Sequence, residues 1–493
     1  MRAFVRVTLF TLSLCAATWS PIAETRQAFA AEPEASGSNP TIEAAVRTLV
    51  ADKGVSGAQI GVTVLDVDSG RVLAQHDERT VLNPASNAKV YTAAAALSLL
   101  HGNHRYQTTL YGTIKGSSVE ALTLRGYGDP SLKTDDFISM ARDLYNRGVR
   151  KVDGDLSLDQ RFFDDQTTPP AFEQQPNEWA PFRAPVSALA VNENTVTLTV
   201  RPGGSGGSAH YSFDPPGFVD AEGSIKTTDS GADNVGLAMS ANGSRLKAVV
   251  SGSVGQDSKI VRYTRRVEDP QLLAGYVLKF ALEQQGIKVA GDIKLATGDA
   301  NRGTLLAKHE SDPLGQLLYA LGKQSDNFYA EMVFKSLSAE LKGKPGKSQS
   351  SAEIVQKWLD KNKLSDAGLV IKNGSGLFDA NRVSTHSITE LLRFMWRDTS
   401  VQSEFVAQFA IGGVDGTLAK RFRTWKSSRA IRAKTGTLDD VIALSGYVLS
   451  PSGKGPIAFS IIFNKVTGKG GAARVAADKL VEAIAKDRWR ATN

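Results

Sequence analysis

A chain of 493 residues exceeds what one ordinary hydrophobic core accommodates, and it predicts two or three domains. Hydrophobic residues at 41% and charged residues at 22% are the balance of a soluble globular protein, and a mean hydropathy of -0.19 excludes a bundle of membrane spans. The formal charge is only +7, and no lysine and arginine cluster is interleaved with aromatics, which excludes a nucleic-acid groove.

At the N-terminus, Arg2 and Arg6 precede an apolar run from Val7 to Ala17, and Ala28-Phe29-Ala30 stands before Ala31. Charged, apolar and small-residue regions in this order predict a secretory signal peptide over residues 1–30. The apolar run is shorter than the ~20 residues of a spanning helix, so no stable membrane span is expected. Cys15 is the sole cysteine and lies inside the signal, behind Leu14 rather than the small residue of a lipid-attachment site. The mature chain then has no disulfide, thiol nucleophile or cysteine metal site, and an exported chain of this kind belongs in the periplasm or cell envelope.

Residues 32–40 have linker composition, and order begins with the amphipathic stretch Ile42 to Leu49. Gln59 to Val67 and Arg71 to His76, joined by Asp68-Ser69-Gly70, read as a hairpin. After Pro84, Ser86 to Leu100 is a nearly unbroken apolar segment too long for a strand, hence a buried helix. From 104 to 300 short β-like runs (Thr108 to Ile114, Thr195 to Val200, Leu246 to Val254) alternate with Gly, Pro and Asp turns, predicting a mostly β insertion of two subdomains. Its glycine run, Gly203 to Gly207, opens no helix and reads as a loop; Gly346-Lys347-Ser348 lacks the P-loop's earlier glycine, replaced by Leu341. Helical texture covers Pro313 to Leu341, Ser351 to Asn362 and Ser387 to Met395. Strands are expected at Val441 to Leu449 and Ile457 to Phe463, then a helix from Ala472 to Arg488. The fold class is therefore α+β: one antiparallel sheet built from both chain ends and covered by helices. Residues 40–103 and 301–493 form this discontinuous domain, interrupted by 104–300.

Three clusters carry chemistry. Ser86-Asn87-Ala88-Lys89 puts a serine and a lysine on one helix face at a helix N-terminus, where a backbone N–H can also face an oxyanion. The lysine acts as a base only if burial and a neighbouring cation lower its pKa. A serine three residues before a lysine arises by chance roughly once or twice in such a chain. Ser325-Asp326-Asn327 follows a helical pattern, and Ala433-Lys434-Thr435-Gly436-Thr437 stands just before a strand. Lys-Thr-Gly arises by chance on the order of 0.1 times here. All three in this order match the signature of penicillin-binding proteins and class A β-lactamases.

Leu124 to Pro130, Ala188 to Asn194, Asn373 to Leu377 and Gly412 to Leu418 extend the match. Over about residues 40–480 the chain resembles the D-alanyl-D-alanine carboxypeptidases/endopeptidases of the penicillin-binding protein 4 type, peptidase family S13. The 235 residues between Lys89 and Ser325 resemble that family's inserted domains. Two positions depart from its pattern: Tyr127 replaces a glycine and Asn373 an aspartate. The resemblance implies Ser86 as nucleophile, Lys89 as its base, Ser325 as proton relay and Asn327 as a holder of substrate amide and lysine. It also implies Lys434, Thr435, Gly436 and Thr437 as the carboxylate-binding strand, with the Ser86 and Thr437 N–H groups as oxyanion hole. Peptidoglycan stem peptides are the implied substrates and β-lactam antibiotics the implied covalent inhibitors, with no metal or cofactor. A β-lactamase and a non-catalytic penicillin-binding sensor or wall-binding protein are the alternatives. The six histidines read as surface or packing residues, since no His-Glu-x-x-His pattern exists. Phe162 to Trp179 fits either a peptidoglycan groove or a packed inter-domain loop.

Overall fold

The computed structural model describes residues 37–297, 303–425, 427–451 and 454–490; the signal-like residues 1–30 lie outside them. Asn39 starts the first helix, Pro40–Val50, by accepting the N–H groups of Thr41 and Ile42, with Pro40 at a position whose N–H would have no helical partner. Ile42, Val46 and Leu49 are its buried stripe.

Six strands build the central sheet in the order Ala410–Ile411, Ile431–Leu438, Val441–Val448, Ile457–Asn464, Gln59–Asp66, Val72–His76, every neighbour antiparallel. N-terminal hairpin and C-terminal strands thus share one sheet, as expected. Val441–Val448 is buried throughout because both faces are covered. Ile442, Leu444 and Val448 belong to the core that contains the Pro40–Val50 and Gly470–Arg490 helices. Ala443 and Tyr447 belong to the opposite core, with the helices Ala88–Leu100, Asn327–Leu341 and Thr385–Arg397. This alternation is the period of two that a strand imposes.

The insertion is mostly β, and it also holds two helices that the sequence reading did not place. Strands Gln107–Lys115, Ser118–Gly126 and Leu156–Asp159 form a sheet with shorter partners, but two helices, Thr134–Asn146 and Leu273–Gln284, pack on each other and share its core. Phe137, Met140, Ala141 and Leu144 are buried at helical spacing. A smaller core, with Leu198, Val200, Ile225, Val250 and Val254, lies between the sheets formed by Thr195–Arg201 with its neighbours and Asn234–Asn242 with Arg245–Gly255. The expected boundary at 300 falls in 298–302, outside the described residues, and the strand Thr304–Glu310 pairs with Gln107–Lys115. The chain therefore leaves the insertion's sheet only after Glu310, because that sheet needs this strand to cover its edge. No helix among the described residues is long and apolar enough to cross a membrane.

Candidate active site

Ser86 sits in a tight turn, Ala85–Asn87, and the helix proper begins at Ala88, two residues after the expected start. The turn is held from two sides. Gly376, at φ +75°, packs so closely that a Cβ there would collide with the Ala85 carbonyl, and a Cβ on Gly436 would meet Pro84 O at 2.8 Å and Asn87 Nδ2 at 2.9 Å. Both glycines are thus required by close approach of backbone to backbone.

Lys89, one turn on, is fully buried. Its Nζ lies 2.9 Å from Ser86 Oγ, and it donates to Asn327 Oδ1 at 2.7 Å and to the Ser375 carbonyl at 2.7 Å. Burial lowers its pKa to about 7, against the opposing pull of Asp326 and Glu331. In the neutral amine two N–H bonds face the two oxygens that can only accept, which leaves the lone pair for the Ser86 hydroxyl.

The helical texture expected over 313–341 is interrupted at Ser325. A wide turn, Ala320–Gln324, ends there with Ser325 at φ 63°, and Asp326 caps the next helix by accepting the Tyr329 N–H at 2.9 Å. The break turns Ser325 and Asn327 to one cleft, and Asn327 Nδ2 donates to Phe182 O at 3.0 Å.

Lys434 lies inside the strand Ile431–Leu438 rather than before it, since the ladder to Val441–Val448 runs through Leu438. It is buried, donating to Ser325 Oγ at 2.6 Å and to Thr435 O at 2.8 Å. Burial, and then the neighbouring Lys89, hold its pKa well below the usual lysine value. Thr435 Oγ1 bonds Thr417 Oγ1 at 2.9 Å. The Ala410–Ile411 strand covers only Arg432 and Ala433, so from Lys434 to Leu438 the outer edge has no strand partner among the described residues.

Ser86, Ser325, Asn327 and Thr437 open onto a cleft of about 830 Å³. Gln174, Gln175 and Phe182 of the insertion form part of its wall. In the Phe162 to Trp179 stretch, Phe162, Phe163 and Phe172 are buried, the first two in one cluster with Phe328 and Met332, and only the two glutamines reach the cleft. Buried Arg183 donates to the carbonyls of Phe172, Pro176 and Glu178, and Arg266 to Pro176 and Glu178, so the loop's own carbonyls are satisfied from below. None of the six histidines lines the cleft.

Asn373 uses its amide fully: Nδ2 donates to Pro170 O and Leu377 O, while Oδ1 accepts from Gly376 N and Asn381 Nδ2. An aspartate here would lack both donors. Tyr127 meets Phe162 edge-on at 5.7 Å, under Lys344. Sequence reasoning passed over Glu331, buried one turn beyond Asn327, although a lone acid in Phe328 to Phe334 is a visible signal.

The sequence pattern of the D-Ala-D-Ala carboxypeptidase 3 (S13) family matches residues 42–486. The chain belongs to this family. The class of enzyme is accordingly a D-Ala-D-Ala carboxypeptidase of serine-peptidase type. A D-alanyl-D-alanine carboxypeptidase of Actinomadura sp. (strain R39) is 33% identical over 439 residues, covering 86% of this chain and 81% of that one. A D-alanyl-D-alanine carboxypeptidase from Haemophilus influenzae is 25% identical over 83% of this chain and 86% of its own length. The crystal structure of penicillin binding protein 4 from the same organism superposes with a TM-score of 0.74 over 89% of this chain and 98% of that one, at 23% identity, which shows the shared fold.

Proposed function

We propose that this S13-family chain removes the terminal D-alanine from peptidoglycan stem peptides through an acyl-enzyme on Ser86, and also cleaves D,D cross-links. The observation that carries the reading is the Lys89 environment: a buried amine with pKa about 7, two accept-only oxygens and the Ser86 hydroxyl. Ser86 Oγ attacks the carbonyl carbon of the penultimate D-alanine as its proton passes to Lys89. The N–H groups of Ser86 and Thr437 take the oxyanion. Collapse breaks the C–N bond, and the proton that Lys89 took from Ser86 is relayed through Ser325, whose Oγ accepts from Lys434 Nζ, to the leaving amine, which leaves Lys89 neutral again. Water then attacks the ester, releasing the shortened peptide and restoring Ser86. The leaving amine is that of D-alanine in one case and a side-chain amine of the neighbouring stem in the other.

The free edge from Lys434 to Leu438 suits an extended peptide laid alongside it. Lys434 with Thr435 and Thr437 supplies a cation and hydroxyls for a terminal carboxylate. A β-lactam presents a strained amide and a carboxylate in the same relation, and acylation of Ser86 follows by the same steps. The two carboxylates that act on Lys89 are committed to backbone N–H groups, Asp326 to Tyr329 and Glu331 to Gly374 and Ser375, and neither lines the cleft from which water reaches the ester. That favours a slowly hydrolysed adduct over β-lactamase turnover. The intact network disfavours a non-catalytic wall-binding role. The periplasm or cell envelope is the compartment that this substrate requires. Incubation with disaccharide pentapeptide and with a cross-linked dimer, followed by mass spectrometry, tests the reading: loss of one alanine and conversion of dimer to monomers are expected, both absent in Ser86→Ala. Product formation by Ser86→Ala contradicts it.

A further inference from the structure

The Glu331 carboxylate is buried, and Glu331 does not line the cleft. One oxygen accepts the Ser375 N–H at 2.8 Å and the other the Gly374 N–H at 3.1 Å. From the other side, Thr92 Oγ1 donates to the Gly374 carbonyl at 2.7 Å. These three bonds fix the Asn373–Gly374 and Gly374–Ser375 peptide units; the next unit carries the Ser375 carbonyl, the acceptor of one Lys89 N–H, and is held at its Gly376 N–H by Asn373 Oδ1 at 2.9 Å. Burial raises the Glu331 pKa, with the Ser375 and Gly374 hydrogen bonds and Lys89 pulling it back; a loop with two N–H groups held by this buried carboxyl has little freedom to rotate that carbonyl away.

We infer that Glu331 is a positioning residue for acylation: it locks the Gly374–Ser375 backbone so that the Ser375 carbonyl captures a Lys89 N–H and the amine's lone pair is aimed at the Ser86 hydroxyl. The inference rests on the reading of Ser86 as nucleophile and Lys89 as base. Without the carboxylate the loop gains freedom, the amine rotates among its acceptors, and the attacking geometry is populated less often. The ionisable groups acting on Lys89 are Asp326 and Glu331, with Lys434 beside it; Glu331 in turn acts on Lys335, one helical turn further along. Removing the Glu331 charge therefore also eases Lys89 towards its neutral form.

Charge and reach are separable by substitution. Glu331→Gln keeps the length, removes the charge and turns an amide N–H₂ towards a backbone N–H; Glu331→Asp keeps the charge and falls one carbon short. The measurement is kcat and KM on disaccharide pentapeptide across the pH range, per molecule of folded enzyme. For Glu331→Gln we expect kcat lower by about 10- to 100-fold with KM nearly unchanged, and the acid limb moved to lower pH. For Glu331→Asp a similar loss of kcat with the limb in its wild-type place is expected. Wild-type kcat in Glu331→Gln, or a loss confined to KM, overturns the inference. If neither variant folds, Thr92→Val removes the other tether of the same loop; a fall in kcat at an unmoved acid limb is then expected, and unchanged kcat overturns it. Ser86→Ala run alongside keeps the two ideas apart, because residual turnover there defeats the nucleophile reading, whereas silent Glu331 variants with a dead Ser86→Ala defeat only this one.

Discussion

Lys89 must be neutral to accept a proton, and with its pKa at about 7 that form grows as pH rises through neutrality. The value comes from burial, which disfavours the ammonium, set against Asp326 and Glu331, which favour it. With the chemical step limiting, kcat/KM should climb tenfold per unit at acid pH and level off above about 7; a steady-state pH profile checks this. A rate independent of pH from acid to mild alkali would mean another base. At this scale the sequence was informative about types and silent about aim. Ser86, Lys89, Ser325, Asn327 and Lys434 stand out by spacing, whereas the Ser375 carbonyl is main chain that every residue has, and only the fold brings it to Lys89.

Between the elements, the turn that carries Ser86 depends on two backbone contacts. The Gly376 contact on the Ala85 carbonyl belongs to a loop far along the chain, and its positive φ makes any side chain strained as well as crowded. Gly376→Ala should lower kcat/KM by about 10²-fold or more through displacement of Ser86, and lower the urea midpoint besides. Wild-type kcat/KM in a folded variant would show that the turn does not lean on this loop. The sheet strands and the helices packed on them that were read from periodicity stand mostly within a residue or two of their places, from Gln59–Asp66 to Gly470–Arg490, but Ser348–Lys361 begins three residues earlier than expected and the strands Ala410–Ile411 and Ile431–Leu438 were not read. Thr134–Asn146 was missed although Phe137, Met140, Ala141 and Leu144 carry the helical spacing, because the surrounding turn residues masked it. The break at Ser325 was missed, although the polar run Gly322 to Asn327 interrupts the apolar pattern there and Asp326 is a helix-capping residue type.

On the scale of the molecule, the insertion forms part of the cleft. Its Phe182 carbonyl receives Asn327, and its Asp164 pairs with the fully buried Lys335 on the helix that carries Asn327. Lys335 Nζ also donates to Gln166 O at 2.7 Å. Lys335→Met should destabilise the fold by about 3 kcal/mol, since it strands a carboxylate at the joint, and adding Asp164→Leu should recover most of that loss. Urea unfolding of the two variants measures both; a single variant as stable as wild type would mean the pair holds nothing. The loop from Phe172 to Arg183 could not be read from the sequence, because its shape is set by Arg183 and Arg266 reaching carbonyls rather than by any local period.

The claim on which the rest depends is that Ser86 accepts an acyl group, and penicillin tests it most directly because the opened drug stays tethered where water must approach. Intact-protein mass spectrometry after brief treatment, with peptide mapping, should show one adduct of the whole drug mass on the segment containing Ser86, absent in Ser86→Ala. An adduct on any other residue, or none because the drug is hydrolysed within seconds, would contradict the account.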